Sequence, residues 1–265
     1  MSPHACDYAV TLRQLLTGQR THDERSLAAE RDRDVAAYVA RRPRLTVLDL
    51  ANGRLRPQYL LLRAAGHRVV GIDVANRPGG GLEARAYRLA RWLYARRLRP
   101  RGRLDGALVC GDVGVLPFRD ASFDLVTSIA AFEHFLDVPA VVAELHRVMR
   151  PGAVAWIRIH LFSCPSGAHN LSATEIPLRT VPAGVDPWDH LRRRRLPVTV
   201  PLNEWRVGRY LDEFRKHFEV PRHYCAMREG ESLLTPALEA ELGARGYTRD
   251  ELTCGAYVIV ARKPA

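Results

Sequence analysis

Residues 45–73 constrain the fold more than any other stretch. Leu45-Thr46-Val47-Leu48-Asp49-Leu50 is an almost continuous apolar run, the pattern of a strand buried on both faces of a parallel sheet. Ala51-Asn52-Gly53 breaks it, residues 57–66 fit a short helix, and His67-Arg68-Val69-Val70-Gly71-Ile72-Asp73 returns as a second strand ending in an acid. A strand, helix and parallel strand in this order form a crossover unit, and such units hold ligands, often nucleosides, at the carboxyl edge of the sheet.

The alternation continues along the chain. Residues 107–110, 123–129, 153–159, 219–227 and 253–261 read as further strands, and residues 82–99, 138–149 and 235–246 read as helices between them. Asp137 is placed to cap the helix whose Val138, Val141, Val142, Leu145 and Val148 recur at helical spacing, and Pro151-Gly152 follows its end. Asn203 is read as the cap of another helix carrying Val207, Tyr210, Leu211, Phe214 and Phe218 on one face. Residues 160–202 break the pattern with prolines, glycines, three histidines and the run Arg192-Arg193-Arg194-Arg195. Long irregular segments inside a compact domain are often lids or binding loops. The expected architecture is α/β: a Rossmann-like, seven-stranded, mostly parallel sheet with helices on both faces and a loop-rich insertion after strand five. Residues 1–44 are expected to form an N-terminal helical segment and residues 45–265 the main domain, with residues 160–202 as its lid or substrate-binding insertion. Within the N-terminal segment, residues 23–42 suggest a helix with Leu27, Val35, Tyr38 and Val39 inward, lying over the sheet edge or the ligand mouth.

The net charge of +11 comes almost wholly from arginine, since Lys216 and Lys263 are the only lysines. Such a bias accompanies GC-rich coding sequence, so the basicity is weak evidence for a nucleic-acid partner. Five cysteines, widely spaced and without a C-x-x-C pair, give no disulfide framework and no zinc ribbon. No apolar segment resembles a signal peptide or approaches the roughly 18–20 residues that cross a bilayer. A soluble, cytoplasmic protein is expected, with no membrane partner.

The block Gly111-Asp112, Leu116-Pro117-Phe118, Ala121-Ser122-Phe123-Asp124-Leu125-Val126, Glu133-His134 and Leu145-His146-Arg147-Val148-Met149-Arg150-Pro151-Gly152 resembles the class I S-adenosylmethionine-dependent methyltransferase family, in its small-molecule branch. The resemblance covers residues 46–160 strongly and the remainder in element order. It implies S-adenosylmethionine as cofactor and carries roles onto matching positions. Asp49 would hold the methionine ammonium, and the backbone of Ala51, Asn52 and Gly53 would pass beneath the methionine portion. Asp73, with Val74 beside it, would accept the ribose hydroxyls. Asp112 would accept the adenine amino group while Val113 donates its amide to the ring, and Ile129 and Ala130 would floor the site near the sulfonium. The family usually shows Gly-x-Gly-x-Gly where this chain has Ala51-Asn52-Gly53-Arg54-Leu55. Alanine for the first glycine is mild if its backbone keeps a negative φ, and leucine for the last adds bulk at the helix start. A dinucleotide would suffer more from this change, because its pyrophosphate needs closely approaching backbone.

Methyl transfer to an alcohol or phenol benefits from a base. His134, after the fourth strand, and His169, in the insertion, are the candidate bases. His160, Cys164 and His169 match no metal-ligand spacing, and no metal site is expected. No G-x-S-x-G elbow supports a hydrolase. The expected activity is methyl transfer to a small-molecule acceptor, at oxygen, with the arginine run suggesting an acidic one. The alternatives are a non-catalytic binding protein of the same fold and an RNA methyltransferase using the basic helix at 82–99.

Overall fold

The computed structural model describes residues 13–14, 16–39, 44–76, 80–101, 107–169, 186–196, 198 and 200–265. The turn at 77–79, the end of the first expected helix at 40–42 and residues 170–185 of the expected lid lie outside these. In chain order the elements are α1 (Gln19–Val35), β1 (Thr46–Leu50), α2 (Pro57–Ala64), β2 (Arg68–Ile72), α3 (Gly81–Leu98), β3 (Leu108–Val109), β4 (Phe123–Ile129), α4 (Val138–Val148), β5 (Met149–His160), α5 (Asp189–Arg192), α6 (Val207–Arg215), β6 (Glu219–Arg228), α7 (Pro236–Gly243), α8 (Arg249–Leu252) and β7 (Cys254–Arg262).

One seven-stranded sheet runs in the order β3-β2-β1-β4-β5-β7-β6. The first five strands pair in parallel, and β7 runs antiparallel between β5 and β6. From β1 the chain winds outward to β2 and β3, then returns to β4 on the other side. That reversal opens a crevice at the carboxyl ends of β1 and β4. Val47, Leu48 and Leu50 are fully buried, as expected for a strand covered on both faces; each such side chain contributes about 1.5–3 kcal/mol of burial. One apolar layer gathers α4 and α6 against the sheet, and the other gathers α2 and α3.

The sequence-predicted boundaries hold to within a few residues, with three differences that bear on the site. First, α1 turns a different face inward: Thr21, Glu24, Ala28, Arg31, Asp34 and Val35 are buried, and Leu27 is only partly so. This face is mostly polar because hydrogen-bonding partners await it on the body. Arg31 Nη1 donates to Gln58 Oε1 at 2.8 Å, Gln58 Nε2 donates to Glu24 Oε2 at 2.9 Å, and Asp34 Oδ2 accepts from Trp156 Nε1 at 2.9 Å and Tyr224 OH at 2.6 Å. Buried polar groups fix a helix in one register more narrowly than an apolar stripe does. Second, α6 begins after Arg206 and has no side-chain cap. Asn203 instead staples the turn after β4, its Nδ2 donating to the carbonyls of Phe132 at 2.7 Å and Phe135 at 2.9 Å. Third, α3 buries Tyr94 and Leu98 and leaves the large apolar side chains of Leu89 and Trp92 exposed.

The described part of the expected lid is packed. Residues 161–168 are buried, and Trp188 and Leu191 join Phe162, Leu234, Leu242 and Leu252 in a third apolar cluster. Trp188 Nε1 donates to the carbonyl of Leu252 at 3.1 Å, and His190 Nε2 bonds the carbonyl of Phe162 at 2.7 Å. Of the arginine run, Arg192 pairs with Asp186 at 2.8 Å and Glu241 at 2.6 Å, Arg193 lies 3.7 Å from Asp186, and Arg194 pairs with Glu204 at 2.6 Å. Three of the four arginines are thus engaged by carboxylates of the same chain. No described helix is long and apolar enough to cross a membrane.

Candidate active site

The turn after β1 is held by β2. The Ala51 amide donates to the carbonyl of Ile72 at 2.8 Å, and the Gly53 amide donates to Asp73 Oδ2 at 2.7 Å. The second Asp73 oxygen accepts from the Ala75 amide at 2.7 Å, so the carboxylate is fixed at both ends with lone pairs to spare. Gly53 sits at φ +63°, the left-handed region that suits glycine, but Ala51 also sits there, at φ +53°. The condition under which alanine would be a mild replacement for the first glycine, a negative φ, is therefore not met. An alanine there costs about 1 kcal/mol. Leu55 is accommodated: it packs, partly buried, against the apolar layer of β1, β2 and α2.

Asn52 is turned away from the crevice. Its Oδ1 accepts from Asn76 Nδ2 at 3.1 Å, and the same Asn76 nitrogen reaches the Val109 carbonyl at 2.8 Å. Asn52 therefore offers the site its backbone and clamps the strand ends with its side chain. Asn76, which no motif marks, ties three strand ends together. Gly71 makes room for the clamp, since a Cβ there would lie 3.2 Å from the Asn52 side chain.

Asp49 is buried, and its Oδ2 has no hydrogen-bond partner. Burial carries its carboxyl from 3.8 to about 7, with the Arg31 guanidinium opposing. A buried, unsatisfied acceptor of this kind is costly unless a donor arrives from outside the chain. Asp112 is exposed and accepts from the Gly114 amide at 2.8 Å, and Val113 is buried beside it. Val74 is 67% exposed at the mouth, an apolar wall with nothing covering it. Ile129 is partly buried at the end of β4, and Ala130, at φ +48°, donates its amide to the Arg158 carbonyl at 2.8 Å. Carboxylate acceptors at Asp49, Asp73 and Asp112 with an apolar wall at Val74 fit a cofactor bearing ammonium, hydroxyl and amino donors and a flat ring.

Beyond the end of β4 the structure brings both candidate bases together. The rings of His134 and His169 lie 4.8 Å apart, and His160, the last residue of β5, lies 4.8 Å from His169 on its other side. His134 Nδ1 bonds the Pro201 carbonyl at 3.0 Å. A carbonyl only accepts, so Nδ1 carries the proton and Nε2 is left bare. His169 is different. Burial and the two neighbouring imidazoles lower its pKa to about 3, which makes it a weak proton acceptor.

Glu133, beside His134 in the motif block, completes this cluster with Ser166 and Glu229, which no motif marks. Glu133 is buried with neither carboxylate oxygen hydrogen-bonded. Burial raises its carboxyl to about 8, opposed by the nearby backbone amides of Glu133 and His160, which stand outside full hydrogen-bond geometry. Ser166 accepts from or donates to His160 Nε2 at 2.9 Å and donates its Oγ–H to Glu229 Oε1 at 2.5 Å. Glu229 follows β6 and lies against Gly255, where a Cβ would come within 2.9 Å of its side chain. The turn carrying Cys164, Ser166 and His169 closes so tightly that a Cβ at Gly167 would collide with the Leu161 and Phe162 carbonyls. These residues are far apart in sequence and meet only because β4, β5 and β6 end at one edge.

The mostly parallel sheet in this strand order is a Rossmann-like α/β fold. Residues 48–157 match the family described as a methyltransferase domain. Over 184 residues it is 33% identical to the malonyl-[acyl-carrier protein] O-methyltransferase of Erwinia billingiae, an alignment covering 66% of this chain and 63% of that protein. It is 31% identical to the demethylmenaquinone methyltransferase of Streptomyces avermitilis, covering 61% of this chain and 58% of that one. The chain thus spans less than two thirds of these relatives. Among solved structures, the geranyl diphosphate C-methyltransferase of Streptomyces coelicolor A3(2) shares the fold with a TM-score of 0.52 at 13% identity, over 90% of this chain and 80% of that one.

Proposed function

We propose that this chain transfers a methyl group from S-adenosylmethionine to a hydroxyl oxygen of a small-molecule acceptor. The observation that carries the reading is Asp49, a buried carboxylate with an unmet acceptor oxygen at the crevice where β1 and β4 part. It is suited to an ammonium donor. Asp73, pinned by the Gly53 and Ala75 amides, is suited to paired hydroxyls, and Asp112 to an amino group. When bound, the cofactor supplies a methyl group on a sulfonium, which leaves as a neutral thioether.

The chain's own part is to align the acceptor, exclude water and remove a proton. His134 is the base in this reading, because its carbonyl-bound Nδ1 leaves Nε2 free to accept the hydroxyl proton as the new O–C bond forms. Asn203 and Pro201 hold that ring by fixing the turn behind it. His169, too weakly basic, serves as a wall of the acceptor pocket rather than as the base. The names of the relatives include both oxygen and carbon acceptors, so the choice of oxygen rests on the bare imidazole nitrogen.

Isothermal titration with S-adenosylmethionine and S-adenosylhomocysteine tests the first step, and transfer of a labelled methyl group to hydroxylated acceptors tests the second. Folded protein that binds neither cofactor form, with Asp73→Ala indistinguishable from wild type, would overturn the reading. Cofactor binding without turnover on any acceptor class would favour a non-catalytic binding protein instead.

A further inference from the structure

Two groups of potential metal ligands share His160: Glu133, His160 and His169, and His160, Cys164 and Glu229. In each group the ligand atoms lie within 4.8 Å of one another. The second group is satisfied internally. Ser166 donates to Glu229 Oε1 at 2.5 Å and sits 2.9 Å from His160 Nε2, with Cys164 Sγ 3.4 Å from the same nitrogen. The first group is not satisfied. Both Glu133 oxygens and His169 Nε2 are shielded from solvent and have no hydrogen-bond partner, and Glu133 is only 2% exposed. Three elements converge to place these unmet donors together: the turn after β4, the end of β5 and the tight turn closed by Gly167.

We infer that Glu133, His160 and His169 form a binding site for one divalent transition-metal ion of the zinc type. The hydrogen-bond logic prepares His160 for this. Ser166 spends its only proton on Glu229, so its oxygen accepts from His160 Nε2–H, and the ring's lone pair is left on Nδ1. A ligating histidine whose other nitrogen is oriented by a carboxylate-linked partner is the usual support of a metal site. Two nitrogens and one oxygen favour zinc, cobalt or iron over magnesium and calcium, which take oxygen sets. Donors around a tetrahedral ion stand roughly 3.3 Å apart, so modest side-chain rotation from the observed spacing closes the site. The Glu133 and Glu229 carboxylates in the cluster balance a divalent charge. Three protein ligands leave a position open toward the neighbouring His134. There the ion would hold a hydroxylated acceptor and acidify it; that role, unlike the binding itself, rests on the proposed function.

The test is titration of the chelator-treated protein with zinc chloride, with cobalt(II) absorption as a second readout. One zinc ion per chain is expected, bound far more tightly than magnesium. His169→Ala and Glu133→Gln should each weaken zinc binding by about 100-fold or more with circular dichroism unchanged, and Cys164→Ser should leave it intact. Should Glu133→Gln fail to fold, His169→Ala decides alone. Absence of saturable zinc binding overturns the site, as does binding insensitive to His169→Ala. A thiolate-to-cobalt band, or loss of binding in Cys164→Ser, overturns this ligand set. Loss of zinc binding in a variant that still binds S-adenosylmethionine separates this inference from the proposed function, and the converse result would sink that function alone.

Discussion

Replacing Asp49 with asparagine separates the stability cost of a buried carboxylate from its use. Burial carries the Asp49 carboxyl from 3.8 to about 7. Because the folded value is raised, the group favours folding fully below pH 3.8, and this contribution is lost as pH rises through about 7. At about 1.4 kcal/mol per pH unit, ionised Asp49 destabilises the ligand-free fold by about 4 kcal/mol above neutrality relative to its protonated form. The amide introduced by Asp49→Asn does not titrate. Left unmet, it adds a cost of about 1–3 kcal/mol at every pH, so the informative quantity is the change in the variant-minus-wild-type difference between acid and alkaline pH. Urea unfolding followed by circular dichroism across roughly pH 4–9 should show that difference moving by about 4 kcal/mol in favour of Asp49→Asn. The same substitution should weaken S-adenosylmethionine binding roughly 10- to 150-fold at about pH 8, the worth of a hydrogen bond to a charged group. Parallel stability profiles for the two proteins would refute the burial argument. Unchanged cofactor affinity would refute the placement of the ammonium at Asp49.

Three further outcomes are expected. Gly167→Ala drives a Cβ into the Leu161 and Phe162 carbonyls and should destabilise the fold by roughly 2–3 kcal/mol, read as a lower urea midpoint; an unchanged midpoint would show that the turn relaxes freely. His134→Gln should lower kcat by roughly 100-fold or more on any accepted hydroxyl substrate while leaving cofactor affinity in isothermal titration as in wild type, and equal kcat would remove His134 as the base. Ala51→Gly relieves the left-handed strain at φ +53° and should stabilise by about 0.5 kcal/mol after the added unfolded-state freedom of glycine. A measured loss of stability would mean the alanine methyl is packed usefully.

The acids proposed for the cofactor, Asp49, Asp73 and Asp112, were marked in the sequence by the family resemblance, and the structure sets them near the ends of β1, β2 and β3. The weak point of the glycine turn was also visible, but its conformation was not. Whether Ala51 takes a positive φ depends on the Ile72 carbonyl across the strand pair, which no local pattern encodes. The inward face of α1 was misread for a related reason. Hydrophobic periodicity selects Leu27 and Val39, whereas the body presents Trp156, Gln58 and Tyr224 as hydrogen-bonding partners that select Asp34, Arg31 and Glu24.

By itself the sequence determined the order of strands and helices and a mostly parallel sheet. These follow from local periodicity and from the geometry of parallel crossovers. Only the tertiary structure decided that Glu133, His134, His160, His169 and Glu229 share one edge, that residues 161–168 are buried, and that three arginines of the basic run are paired. The reason is physical: such groups acquire their charge state, tautomer and unmet hydrogen bonds from neighbours as much as 96 residues away, as Glu229 is from Glu133.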